Sequence, residues 1–236
     1  MRNLAFVLFF TIIVSQAYSQ SKKYFSAGGE MIFSFAAIDH NGQADGNVMR
    51  FSPFFCIQPN FNYDFTKNVG SFVGISIRNI GFIYDEYEVP NPENPDETKM
   101  LKKKYRTYNI GLPIGIKLGV MDKSFVFGGY EIEYPFHYKE KTFDGDHKDD
   151  KFGVWFSDRV ESFQHGFFAG MQLPHGLNLK FKYYLSQFHN MDYVDNDGLK
   201  PYDGLKTNIF YFAITFNPFK NMKDSFEESK PKKAVF

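Results

Sequence analysis

Cysteine is nearly missing from this chain. Cys56 stands alone among 236 residues, so no intramolecular disulfide framework and no cysteine-rich zinc site can form. Net charge is missing too. Lys and Arg total 27, Asp and Glu total 27, and a chain with no overall field has no global attraction to nucleic acid. After residue 20 no apolar run approaches the roughly 20 residues that a membrane-spanning helix needs. No phosphate-binding loop, zinc spacing or nucleic-acid motif is found, and no cofactor is implied. Tryptophan is limited to one residue, yet 30 Phe and 15 Tyr bring aromatic content to 19%. That surplus needs somewhere to sit.

The first residues suggest the compartment. "MRNLAFVLFFTIIVSQAYSQ" sets a basic Arg2 before an apolar core from Leu4 to Val14. Ala17 and Ser19 follow with the small side chains that a signal peptidase accepts. The core is about half the length of a spanning helix, so residues 1–19 are expected to be a signal peptide. Without a cysteine after this core, lipid modification there is not expected.

Beyond the leader, alternation with a period of two recurs along the chain. In "YNIGLPIGIKLG", residues 108–119, Tyr108, Ile110, Leu112, Ile114, Ile116 and Leu118 form one face. Asn109, Gly111, Pro113, Gly115, Lys117 and Gly119 form the other. Comparable segments are 25–35, 51–65, 69–84, 124–139, 160–173, 177–188 and 207–217, which makes eight strands. In the third, the apolar set Val73, Ile75, Ile77 continues as Ile80, Phe82, Tyr84 on the other parity, which predicts a bulge near Asn79.

Short turns ("TKN" after Phe65, "VMDKS" from Val120, "PHG" from Pro174) alternate with long polar stretches at 36–50, 85–104, 140–159 and 189–206. Short connections at one end and long ones at the other are the signature of an up-and-down barrel in an outer membrane. The expected fold is all-β, an eight-stranded antiparallel up-and-down transmembrane β-barrel over residues 20–217. Residues 218–236 are expected to form a flexible periplasmic tail.

Which face meets lipid follows from volume. The apolar sets are too bulky for the interior of eight strands, whereas the other sets are rich in Gly, Ser, Asn and Gln. A soluble barrel would need the reverse. Phe61, Tyr63, Phe65, Tyr84, Tyr108, Tyr134 and Tyr138 fall near strand ends, where interfacial girdles sit. The bare face of residues 108–119 is then interior, its glycines making room for large or charged neighbours. Pro113 removes an N–H from a sheet without a free edge, which kinking or bulging at Gly111 and Gly115 would accommodate.

Residues 108–119, with Tyr108, Ile110, Pro113 and Lys117, resemble a strand of the small outer-membrane β-barrel (porin-like) family of Gram-negative bacteria. "ESFQHGFFAGMQL" and "NIFYFAITFNPF" are similar to that family's sixth and last strands. The resemblance covers nearly all of the chain after the leader. It implies an integral outer-membrane protein, generally without an enzyme site, some relatives being accessory barrels of protein secretion. In many such barrels the chain ends at an aromatic residue of the last strand, whereas here "KNMKDSFEESKPKKAVF" follows, leaving Phe216 and Phe236 as alternative assembly signals.

The charges expected inside are Glu30, Arg78, Lys117, Glu131, Glu133, Lys180 and Lys182. Carrying both signs in an interior with room only for side chains, they are expected to pair and plug the barrel. A narrow channel for small solutes is the alternative reading. A lipid-modifying enzyme is a lesser one: His165 and Ser162 lie near the outer end of a strand, but no orienting carboxylate accompanies them. His40, His147 and His189 read as solvated loop residues. "DGDHKDD" from Asp144 and "DYVDNDG" from Asp192 read as solvated loops. In the second, a calcium loop would place Tyr193 and Gly204 at its first and last ligand positions. "PNPENPDE" from Pro90 is a stiff loop able to present a surface. The expected partners are outer-membrane lipid and envelope or secretion proteins, met through the long loops or the tail.

Overall fold

The computed structural model describes residues 22–45, 48–90, 97–145 and 147–216. The predicted leader, 1–19, and the whole of the predicted tail, 218–236, lie outside this range, as does most of the "PNPENPDE" stretch. The described residues form twelve strands: β1 Lys22–His40, β2 Gln43–Asp45, β3 Arg50–Ser52, β4 Ile57–Asp64, β5 Val69–Gly74, β6 Ser76–Pro90, β7 Thr98–Val120, β8 Ser124–Asp144, β9 His147–Trp155, β10 Gln164–Gln172, β11 Leu177–Tyr184 and β12 Leu205–Phe216. Among the described residues no helix is long and apolar enough to cross a membrane.

The strands make eight antiparallel staves. β1 pairs with β4, then β5 and β6 follow as one stave, and β7, β8, β10, β11 and β12 complete the circuit. The ring closes where β12 returns to β1, from Gly29 opposite Phe216 to His40 opposite Leu205. β2 and β3 extend the β4 stave along β1, and β9 extends the β10 stave along β8. Closure leaves no sheet edge in the apolar zone, a condition for crossing a bilayer with strands.

The alternation sorts to inside and outside as the residue types require. Leu112, Ile114 and Ile116 are 64%, 60% and 58% exposed, and Val126, Phe163, Phe167 and Phe212 also point outward. Gly111, Pro113, Gly115 and Lys117 of the same β7 point inward and are buried. An apolar outer surface around a polar interior is the inverse of a soluble barrel. The barrel therefore spans a membrane, with the short turns at one end and long hairpins at the other.

Four expectations need correction. No bulge sits at Asn79: Ile80, Phe82 and Tyr84 continue the inward set of Ser76 and Arg78 and are fully or almost fully buried. The apparent slip arose because the interior becomes apolar toward the long-loop end, so inward residues there look like lipid-facing ones. Tyr138 is likewise inside. On β8, His137 pairs with Tyr108 and Pro135 with Asn109, leaving Phe136 as an extra residue. Beyond it the phase inverts, so Tyr138 and Glu140 turn inward while Lys139 and Lys141 turn out. Much of 85–104 and 140–159 is not loop but strand, because ladder hydrogen bonds persist above the membrane where no apolar face is needed. His189 is fully buried rather than solvated.

Pro113 also gains a reason. Toward β8 it pairs in register with Glu131. On its other side the ladder stops at Ile114 opposite Val73 and resumes at Gly111 opposite Ser76. The missing N–H thus coincides with the break between β5 and β6, while on the β4 side the ladder continues with the Ile75 N–H donating to the Pro59 carbonyl at 3.0 Å.

Candidate functional site

Six of the seven charges expected inside meet in one cluster. Arg78 projects from β6 between Glu30 on β1 and the β8 pair Glu131 and Glu133. Its Nε donates to Glu30 Oε2 at 2.9 Å, one terminal nitrogen donates to Glu133 Oε1 at 3.0 Å, and the same nitrogen bonds Glu131. From β11, Lys182 Nζ donates to Glu131 Oε2 at 2.7 Å and Glu133 Oε1 at 2.6 Å, while Lys180 pairs with Glu30. Three cations thus face three carboxylates, all buried. Their remaining lone pairs are used: Ser76 Oγ donates to Glu131 at 2.6 Å, Asn109 Nδ2 to Glu133 at 2.7 Å, and Tyr184 Oη to Glu133 at 2.9 Å. Such compensation is the condition under which ions can stay buried.

Lys117, the seventh, stands apart toward the short-turn end. Its Nζ donates to Asp64 Oδ1 at 2.5 Å, Asn62 Oδ1 at 3.0 Å and Tyr24 Oη at 3.1 Å. Asp64 belongs to the polar set of its segment in the sequence, but only strand register shows it facing Lys117. Between this layer and the ion cluster lies a cavity of about 60 Å³ bounded by Gln58, Asn60, Asn62, Lys117, Lys180 and Asn178. Its polar lining suits a few bound waters.

Toward the long-loop end the interior is packed with aromatics. His189 stacks on Tyr202 with ring centroids 4.2 Å apart, and Tyr105, Phe82 and Phe188 meet its ring edge-on at 4.6, 5.8 and 4.9 Å. Tyr138 Oη donates to Glu140 Oε2 at 2.9 Å, and Lys103 pairs with Glu140 at 3.1 Å. His189, Phe188, Val160 and Tyr202 come from connections that fold into the mouth. Burial, then the nearby Lys103 and Arg159, hold the His189 imidazole well below the usual histidine range.

The enzyme-like pair is not assembled. His165 Nδ1 lies 2.7 Å from Tyr130 Oη, and Ser162 is exposed with no hydrogen bond to His165 among the described residues. In "DYVDNDG", Asp195 Oδ1 accepts the N–H groups of Asp197 and Leu199 at 3.0 and 2.8 Å, so this carboxylate closes a turn.

No family model matches the sequence, and no curated protein matches it. Structural matches include the attachment invasion locus protein Ail of Yersinia pestis, crystallised with the heparin analogue sucrose octasulfate. Identity is 11% over 82% of this chain and 98% of that chain, with a TM-score of 0.36. Neisserial surface protein A, NspA, matches at 8% identity over 83% and 98%, with a TM-score of 0.34. OprG of Pseudomonas aeruginosa matches at 11% identity over 83% and 93%, with a TM-score of 0.34. Likenesses this low carry no ligand or role to the present chain. The closed ring, the apolar outer belt and the polar interior are properties of the chain itself, and they make it an integral outer-membrane β-barrel protein.

Proposed function

We propose that the protein is a closed barrel with a structural or interaction role in the envelope, meeting secretion or assembly proteins through its long hairpins. One observation carries this reading: the interior is filled at two levels. The balanced cluster around Arg78 occupies the middle, and the His189–Tyr202 aromatic seal occupies the mouth. Arg78, Glu131, Glu133 and Lys182 at the first level and His189 at the second are fully or almost fully buried, which supports a closed interior. Long hairpins above the membrane supply contact surface.

Single-channel recording tests the reading. Residues 20–236 are refolded into planar bilayers, with folding confirmed by heat-dependent gel mobility. Silence is expected. Reproducible conductance steps whose ion selectivity changes in Glu131→Gln/Glu133→Gln would make the protein a channel and reject the closed-barrel reading.

A further inference from the structure

The outer face of β7, β8 and β9 carries a group of cations that the closed-barrel reading does not use. Beyond the bulge at Phe136, Lys104 and Arg106 of β7 and Lys139 and Lys141 of β8 all point outward. Register sets Arg106 opposite Lys139, Lys104 opposite Lys141, and Lys141 opposite Lys151 of β9. Like charges directly across a ladder repel. None of these five has a carboxylate within 4.0 Å among the described residues, although lysines nearby do: Lys102 pairs with Asp85 at 2.9 Å and Lys103 with Glu140 at 3.1 Å. These five cations stand together in one band of one face.

That band has a definite height. Arg106 and Lys139 both lie over the Tyr108 ring, at 5.5 and 5.6 Å from its centroid. Tyr108 belongs to an outward aromatic girdle with Phe136 and Trp155, which stack at 5.9 Å. Directly below on β7 run Ile110, Leu112, Ile114 and Ile116, all exposed. Arg106 and Lys139 thus stand one strand repeat, about 7 Å, above the aromatic girdle, at the level of lipid headgroups, with Lys104 and Lys141 one repeat higher. A cleft of about 320 Å³ opens there, lined by Arg50, Lys104, Arg106, Lys139 and Lys141, with Phe51 and Phe54 also on its wall. Arg50 is held in place by Asn79, its guanidinium donating to Asn79 Oδ1 at 2.5 Å.

We propose that this cleft binds the phosphorylated headgroup of an outer-leaflet lipid, whose acyl chains lie along the ridge from Ile110 to Ile116. Anionic phosphate supplies the charge the ladder lacks. Arginine offers paired donors to phosphate oxygens and the lysines act as point charges. The apolar ridge beneath selects a lipid over a soluble anion.

Native mass spectrometry of residues 20–236 in detergent tests the assignment with three probes. These are bisphosphorylated lipid A, the same lipid without phosphates, and the bisphosphorylated disaccharide without acyl chains. Bisphosphorylated lipid A is expected to bind, and loss of its phosphates to weaken it at least about tenfold. Arg106→Gln/Lys139→Gln should cost at least about tenfold, while Lys102→Gln, which removes a paired lysine of the same face, should change binding by less than about twofold. Heat-dependent gel mobility confirms folding, and Lys104→Gln/Lys141→Gln serves if the first double variant does not fold. Equal binding of the phosphate-free lipid, or unchanged binding in a folded double variant, would overturn the proposal. So would binding of the acyl-free disaccharide as tight as that of the lipid, which would reassign the cleft to soluble polyanions.

Discussion

Gly111 shows what the bare face of β7 is for. A Cβ added there would lie 2.5 Å from Ser76 Oγ, 2.8 Å from Glu133 Cγ and 2.9 Å from Glu131 Oε1. Gly115 does the same for the Phe72 ring, which a Cβ would approach to 2.6 Å. The glycines are the space that the ion cluster and an aromatic neighbour occupy, as the sequence led one to expect. Within the cluster Arg78 is the hub, touching all three glutamates. Removing it leaves carboxylates buried without compensation, whereas removing charge of both signs together is close to neutral. Arg78→Met is therefore expected to cost about 3–5 kcal/mol, read as a lowered urea midpoint for the barrel in lipid vesicles. Arg78→Met/Glu131→Gln should recover part of that loss. A single variant as stable as the wild type would show that the cluster is hydrated rather than sealed.

At the scale of elements, the strands were legible because the period of two is written in large apolar residues over most of their length. Phase was not legible wherever the interior itself turns apolar. Ile80, Phe82 and Tyr84 read as outward on hydrophobicity alone, and Tyr138 reads as outward because one extra residue, Phe136, cannot be seen without its partner strand. The connection 185–204 likewise reads as polar, yet it delivers Phe188, His189 and Tyr202 into the mouth. Its histidine gives the mouth a pH dependence. The groups facing it are Tyr105, Tyr138 and Tyr202, with Glu140, Lys103 and Arg159 nearby. The folded pKa of His189 lies below the ordinary 6.5, so its contribution to stability is complete above that pH and is lost as pH falls toward the folded value. Hydrogen exchange in residues 185–204, corrected for intrinsic rates, should accelerate between about pH 7.5 and pH 5. His189→Phe keeps a ring against Tyr202 and cannot ionise, so it should remove that acceleration. Persistence of the effect in this variant would place its origin elsewhere.

For the whole molecule, the proposed closure rests on two layers, the ion cluster and the aromatic cluster at the mouth, and each is expected to suffice. A variant with Glu30, Glu131 and Glu133 changed to Gln and Arg78, Lys180 and Lys182 changed to Met keeps the interior volume filled and the aromatic seal intact. It should fold and remain silent in planar bilayers. Steady conductance from this variant would mean that the ion cluster alone is the closure. The same global view separates the outer surface into an apolar belt, an aromatic girdle and, on one side, the unpaired cations of β7, β8 and β9. No strand read alone shows that band, since each contributes only two outward cations, or fewer, at the relevant height.

Sequence alone set the number of staves, the inversion of the faces and the inward parity of seven charges, but not the interior places of Asp64 and Glu140. The first three follow from local alternation and from side-chain volumes that an eight-stranded interior cannot hold. Tertiary structure decided who meets whom: Asp64 with Lys117, Glu30 with both Arg78 and Lys180, His189 with Tyr202, and Arg106 with Lys139. Register, bulges and the infolding of loops are set between strands far apart in sequence, and a one-residue shift in any of them turns every later side chain to the other face.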